Sequence, residues 1–282
     1  MNKEFLDLAE QLKSSVSCTV RLNELMSGHT SFKIGGPADI LVLPESIEQL
    51  REVLKVVKET VVPLTLLGNG SNVLVRDKGI RGIVIKLGNM LRHFYEAEDL
   101  LVFGSGYSLA LASYKAMECG KTGMEFAVGI PGSIGGAVYM NAGAYDGEMQ
   151  NIVNCVKVMD LQGNERVLTA EELNFGYRKT SLQNSGLIVT EVTLKMPSGN
   201  KDEIKSKMDD FSHRRISKQP LEMPSAGSMF KRPPGYFAGT LIDQAGLKGY
   251  TVGGAQISTK HAGFVVNVGG ATAADVLQLI KD

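Results

Sequence analysis

Four short segments of this 282-residue chain gather residue types that can do chemistry. Two are rich in glycine and free of charge. One is Leu67-Gly68-Asn69-Gly70-Ser71-Asn72; the other is Gly129-Ile130-Pro131-Gly132-Ser133-Ile134-Gly135-Gly136, continuing through Asn141-Ala142-Gly143 to Tyr145. Glycine tolerates positive φ and lets a backbone approach a ligand, so successive N–H groups can converge on an anion. Two such loops could cradle a diphosphate with main-chain donors alone; either by itself could equally be a tight turn between packed elements. The third segment, Phe175 to Ser181, carries Arg178, whose planar and permanently charged fork suits a carboxylate. An arginine in such a place can also be a solvated surface residue, and Tyr177 beside it either orients a substrate or packs. In the fourth, Pro224 to Lys231, small residues bring the backbone near something, with Ser228 at its rim or serving as a turn hydroxyl.

Several shorter matches fail. Gly120-Lys121-Thr122 resembles the end of a phosphate-binding P-loop, but Lys115 stands where that motif needs glycine. Gly104-Ser105-Gly106 follows a predicted strand as a Rossmann fingerprint would, yet its third glycine position is Leu109, too bulky for the close helix–strand contact. His29, His93, His213 and His261 have no metal-ligand spacing, and no Gly-x-Ser-x-Gly elbow is present.

The positioning elements follow from hydrophobic pattern. Ala38–Leu43 reads as a buried strand, Ser46–Glu59 as an amphipathic helix opened by a Ser46/Gln49 capping box, and 64–67 as a short strand; this order suggests a βαβ unit with a parallel pair. Strands are expected at 83–86, 100–103, 153–159, 166–168, 187–195 and 263–268. Helices are expected over Met1–Lys13, 109–119 (ended by Gly120), 203–216 and near Leu241. Pro197–Asp202 reads as a linker. A last amphipathic helix, Ala273–Ile280, stops at Asp282 with no cap or breaker, from which a native chain longer by about 15 residues is expected.

Thirty basic and thirty acidic residues give zero formal charge, which argues against a nucleic-acid partner. No apolar run approaches the ~18 residues of a membrane span, and the acidic N-terminal helix is no signal peptide. Three well-separated cysteines, Cys18, Cys119 and Cys155, suit free thiols in a reducing cytoplasm. The 32 glycines exceed the usual ~7% share and fall largely in the segments above.

TSFKIGGPAD (30–39), LGNGSN (67–72), GIPGSIGGAVYMNAGAY (129–145), GYRKTS (176–181), SAGSMFKRP (225–233) and GGAQISTKHAGFVVN (253–267) stand together here in this order. In this combination the sequence, from about residue 20 onward, resembles the UDP-N-acetylenolpyruvoylglucosamine reductase family of flavoenzymes. The resemblance implies an α+β fold: a PCMH/vanillyl-alcohol-oxidase-like FAD-binding region of two subdomains (about 1–86 and 87–200), then a smaller α+β substrate-binding domain (201–282). It implies non-covalent FAD held by residues 67–72, 129–136 and Gly143, with NADPH as reductant and a UDP-sugar enolpyruvyl ether as substrate. Arg178 and Ser228 are then catalytic and Tyr177 substrate-binding. The expected setting is peptidoglycan precursor synthesis, hence cell-wall biogenesis, cell shape and division, by a cytoplasmic monomer with no metal, nucleic-acid or membrane partner. With no long insertion between Gly143 and Arg178, the chain resembles the shorter type lacking a substrate-covering loop.

Two features depart from the family pattern. Arg232 stands where the family commonly has asparagine, and arginine cannot accept a hydrogen bond. The family's C-terminal catalytic glutamate has no counterpart before Asp282. The implied chemistry carries hydride from NADPH by way of FAD to C3 of the enolpyruvyl group. Arg178 stabilises charge at C2 and its carboxylate, and Ser228 delivers a proton to C2. The rival expectations are another FAD oxidase or dehydrogenase of the same fold, a non-enzymatic nucleotide-binding module, and a Rossmann dehydrogenase.

Overall fold

A computed structural model describes residues 3–88 and 90–282; of the first predicted helix, Met1 and Asn2 lie outside the described residues. Three larger sheets define three units, and a two-stranded ribbon lies within the second. The first contains α1 (Lys3–Ser15), β1 (Thr19–Leu25), β2 (Pro37–Leu43), α2 (Ile47–Lys58), β3 (Leu64–Leu67) and β4 (Ile80–Lys86), with strand order β1-β2-β4-β3. Leu8 and Leu12 of α1 and Leu50, Val53 and Leu54 of α2 pack on Ile40, Val42, Ile83 and Ile85, while Leu41, Leu67 and Val84 fill the opposite face. A strand covered on both sides reads as an apolar run without alternation, as Ile40–Leu43 of β2 does.

Here the structure corrects the expected βαβ pair. The β2 and β3 strands are parallel but not neighbours: β4 lies between them, parallel to both. The Asp39 carboxylate holds that inserted strand by accepting from the Gly82 N–H at 2.8 Å and pairing with Arg81. The α2 cap also differs from the reciprocal box. Ser46 Oγ accepts from the Gln49 N–H, but Gln49 Oε1 reaches the N–H of Glu45 instead of Ser46.

The second unit contains β5 (Phe94–Ala97), β6 (Leu100–Gly104), α3 (Leu109–Glu118), α4 (Ile134–Tyr139), β7 (Gly143–Ala144), β8 (Gly147–Glu148), β9 (Val153–Met159), β10 (Glu165–Thr169) and β11 (Ile188–Lys195). Its main sheet runs β10-β9-β11-β6-β5, every neighbouring pair antiparallel. Both neighbours of β6 are therefore antiparallel, which removes the Rossmann reading of Gly104–Gly106: that fingerprint belongs to a parallel βαβ unit. Leu109, Ala112 and Ala116 of α3 and Ile134, Ala137 and Val138 of α4 pack over Phe103, Val156, Val158 and Val192.

The predicted linker at 197–202 is shorter than expected, because Asn200 caps α5 (Lys201–Lys218) through the N–H groups of Asp202 and Glu203. The apolar side of α5, Ile204, Met208 and Phe211, lies on Val128 and Tyr145 of the second unit. The third unit comprises β12 (Ser225–Ser228), α6 (Ala238–Gln244), β13 (Thr251–Val252), β14 (Ala255–Ile257), β15 (Phe264–Asn267) and α7 (Ala273–Lys281), in strand order β12-β15-β14-β13. Val276 and Leu279 of α7 cover this sheet, whose core also receives Phe32 and Ile34 from the connection between β1 and β2. Among the described residues no helix is long and apolar enough to cross a membrane.

Candidate active site

All four chemistry-bearing segments open onto one cleft of about 2160 Å³ between the three units. Leu67 ends β3 at the wall, and Gly68–Asn72 forms the first loop. Gly129–Ser133 forms the second, joined to the first by the Ser71 hydroxyl, which donates to the Pro131 carbonyl at 3.3 Å. Among the described residues, the N–H groups of Asn69 to Asn72 and of Gly129, Gly132 and Ser133 donate to no other protein group. They are the main-chain donors available to an anion in the cleft.

The remainder of the second segment is not loop, and its N–H groups are used within the protein. Ser133 caps α4, so Gly136 N–H is committed to Ser133 Oγ. Ile134 N–H donates to the Tyr107 carbonyl and Gly135 N–H to the Ser105 carbonyl, both at 2.9 Å. The Ile134 side chain is fully buried in the second core. At Gly135 a Cβ would lie 2.7 Å from that of Ser105, so its small size lets α4 pack on the turn after β6. Gly143 lines the cleft, and its carbonyl serves Arg178.

Arg178 occupies the third position of a tight turn closed by paired main-chain bonds between Gly176 and Lys179, with φ +56°. Its guanidinium donates to the carbonyls of Asn141 (3.1 Å) and Gly143 (3.0 Å) and lies 5.2 Å from the Tyr177 ring centre. Of five N–H donors, three remain for a ligand. Buried Asn141 fixes the turn from the other side, donating through Nδ2 to the Gly176 carbonyl at 3.1 Å and to Glu148. Half-exposed Tyr177 accepts at its hydroxyl from the Arg232 N–H (3.1 Å), tying the second unit to the third across the cleft. Arg232 has its guanidinium over Phe237, 3.9 Å from the ring centre.

Ser228 ends β12 after a register shift against β15, the kind of irregularity that re-aims a side chain. Its hydroxyl is exposed to the cleft and donates to the Gly263 carbonyl at 3.3 Å. Beside it, His261 Nδ1 accepts from the Gly263 N–H at 3.0 Å, which leaves the ring proton on Nε2; burial lowers the pKa of this histidine.

Sequence reasoning missed Arg215. It belongs to the same stripe of α5 as Ile204, Met208 and Phe211, and that spacing was the available signal: a charged residue at a buried helical position. Arg215 is 7% exposed; Nη1 donates to Gln219 Oε1 at 3.1 Å and the guanidinium faces the Tyr145 ring, but among the described residues Nε and Nη2 have no hydrogen-bond partner. Desolvation pushes its pKa down, the response of a buried cation lacking a counter-charge. Its side chain lies against Gly129 in the cleft wall. Overall, seven Lys and Arg against four Asp and Glu line the cleft of a chain whose total charge is zero, so the space suits an anion.

Residues 219–282 match the family "UDP-N-acetylenolpyruvoylglucosamine reductase, C-terminal domain", and residues 38–169 match "FAD binding domain". A UDP-N-acetylenolpyruvoylglucosamine reductase of Clostridioides difficile (strain 630) is 51% identical over 261 residues, covering 93% of this chain and 86% of the relative. This chain belongs to the UDP-N-acetylenolpyruvoylglucosamine reductase family. A crystal structure of a reductase of that family from Thermus caldophilus superposes with a TM-score of 0.82 at 40% identity, covering 94% of each chain. The fold is shared more widely: the Physcomitrella patens BBE-like 1 protein matches 68% of this chain and 44% of its own length at 17% identity, with a TM-score of 0.51.

The cleft fits the FAD that this family binds. A dinucleotide carries a diphosphate, for which the structure offers unpartnered amides in two facing loops. The orphaned Arg215 guanidinium against Gly129 adds the side-chain cation that the loops themselves lack.

Proposed function

We propose that this protein reduces the enolpyruvyl double bond of UDP-N-acetylglucosamine enolpyruvate to give UDP-N-acetylmuramate, with FAD as prosthetic group and NADPH as reductant. The observation that carries this reading is the convergence of the glycine loops, Arg178 and Ser228 on one cation-lined cleft. Residues 1–200 are the FAD-binding region, in two subdomains meeting near residue 86, and 201–282 the substrate-binding domain, with α5 connecting them. The enzyme works as a cytoplasmic monomer in peptidoglycan precursor synthesis, and so serves cell shape and division.

Leu67 to Asn72, Gly129 to Ser133 and Arg215 hold the FAD diphosphate, while Gly143 and the start of α4 form the wall behind them. Bound FAD would supply the two-electron carriage between NADPH and the enolpyruvyl double bond that no side chain can. Arg178 directs its three remaining donors at the substrate carboxylate, where negative charge grows as C3 gains hydride. Two carbonyls already fix its orientation, so little reorganisation is needed at the moment of reaction. Ser228 then breaks its O–H bond to protonate C2 and recovers the proton from solvent. A hydroxyl is a weak acid, but a carbanion adjacent to a carboxylate is basic enough to take its proton. Tyr177 positions the substrate beside Arg178, held by its bond to Arg232.

The test is the visible flavin spectrum. The purified protein is expected to be yellow, to bleach with NADPH, and to recover colour on addition of the enolpyruvyl substrate. In Ser228→Ala, bleaching is expected to continue while recovery slows by about 10²–10⁴, the usual worth of a positioned acid. A colourless protein that takes up no FAD would overturn the assignment, and wild-type recovery in Ser228→Ala would remove the serine from it.

A further inference from the structure

The segment Thr30–Ile34 has no part in the chemistry above, yet it is one of the places where the first and third units are joined; Asp77, which accepts from the N–H groups of Ala273 and Ala274, is another. Its turn is self-contained: Thr30 Oγ1 donates to the Ile34 carbonyl at 3.0 Å, and Lys33 takes a left-handed φ of +56° so that its N–H returns to the Thr30 carbonyl. Phe32 and Ile34 project from this turn into the core of the third unit, beside Ala226 of β12 and Val265 of β15. The Phe32 carbonyl accepts from Asn267 Nδ2 at 3.2 Å. Between these anchors, Ser31 bonds in two directions. Its N–H donates to the Gly70 carbonyl in the first glycine loop at 3.0 Å, and its hydroxyl donates to the Ser225 carbonyl at 2.7 Å. Ser225 begins the strand that ends in Ser228.

We infer that Ser31 is a positioning residue: it sets the spacing between the cofactor loop at Gly70 and the strand that presents the Ser228 hydroxyl. This rests on the function proposed above, because only there do those two groups work on one substrate. Three residue steps separate the clamped Ser225 from Ser228, through a register shift and the left-handed Gly227 (φ +82°). A shift at the clamp is therefore carried to Ser228 over a short span. The first loop has no direct hydrogen bond of its own to β12 among the described residues. Reduction of bound flavin by NADPH does not require Ser228, whereas protonation of the substrate does. The clamp should thus matter to one half of the catalytic cycle and not the other.

Ser31→Ala removes the hydroxyl and keeps the N–H to Gly70. In the FAD-loaded enzyme, bleaching by NADPH is expected to stay within about twofold of wild type. Recovery with the enolpyruvyl substrate should fall about tenfold or more, since small misplacements of reacting groups are costly in rate. Ser31→Thr, which restores the hydroxyl, should recover most of that loss. Asn267→Asp, outside the cleft, exchanges the donor to Phe32 for a repelling oxygen and keeps its acceptors for Gly269 and Ala271. It should show the same one-sided loss, which a direct Ser31–substrate contact would not produce. A second readout needs no turnover: FAD is expected to slow amide hydrogen exchange in the peptide containing 225–228 of wild type, and not in Ser31→Ala. Equal loss of both half-reactions, unchanged recovery in Ser31→Ala, or FAD protection of 225–228 that survives the substitution would each overturn the inference. A wild-type enzyme that never recovers colour with the substrate would instead refute the proposed reaction, and the exchange experiment would still judge the clamp.

Discussion

Replacing Arg215 by methionine should stabilise the protein without FAD and weaken its hold on FAD, two effects of opposite sign. The guanidinium is 7% exposed, and two of its nitrogens, Nε and Nη2, have no hydrogen-bond partner among the described residues. Each buried unsatisfied donor costs about 1–3 kcal/mol, so the pair burdens the empty protein by roughly 2–6 kcal/mol. Methionine has similar length and no donors. Against that gain stand the lost bond to Gln219, about 1 kcal/mol net, and the contact with the Tyr145 ring, about 0.5–2 kcal/mol. The balance favours the variant, or leaves it level, in the absence of cofactor. With FAD bound the sign reverses. A charge-assisted bond to a phosphate oxygen is worth about 1.5–3 kcal/mol, so each one lost raises Kd by about 10- to 150-fold. Urea denaturation of cofactor-free protein gives the first quantity, and titration of FAD by quenching of its fluorescence gives the second. A variant that is less stable when empty and binds FAD as wild type does would show that Arg215 is a packing residue. Normal FAD binding with weakened binding of the UDP-sugar would show that the anion had been assigned to the wrong ligand.

Two other substitutions probe the loops and the wall. Gly70→Ala should yield protein of lower Tm that purifies without flavin absorbance. The φ of Gly70 is +71° and a Cβ would lie 2.1 Å from the His29 carbonyl oxygen, a backbone atom unable to give way; the conformational strain alone is about 1–3 kcal/mol. A yellow variant of unchanged Tm would contradict this reading. His261→Gln should flatten the acid side of the stability profile. Burial lowers the folded-state pKa of His261 below its ordinary 6.5, so the unfolded chain binds the proton more readily. That histidine's contribution is present above about 6.5 and is lost as pH falls toward its folded-state value. Denaturation midpoints across this range should decline less in the variant, and identical slopes would exclude His261 as their source.

Much of this protein is written locally. The strands at β2, β6, β9 and β11 are continuous or alternating apolar runs, and α2 and α3 carry their own caps, Ser46 and Ser108, so short-range pattern suffices to find them. The glycine loops, Arg178 and Ser228 are likewise visible as residue types, and the order of the quoted motifs already points to the family. Weaker signals escaped. The short strands β12 to β14 owe their existence to partners across the third sheet, and α4 lay hidden in a run whose glycines argue against helix. The insertion of β4 between β2 and β3 is a matter of which edge is free once the chain has crossed over, and no residue announces it.

The composition of the loops, the capping residues and the hydrophobic periods are determined by sequence, because each depends on atoms a few residues apart. Tertiary structure alone decided which of those loops face one another, that a neutral chain encloses a cationic cleft, and that Arg215 is left with two nitrogens unmatched. It also decided that Ser31 lies between the first glycine loop and a strand nearly two hundred residues further along the chain. These are long-range coincidences of position, fixed only when three separate cores pack and bring their edges together.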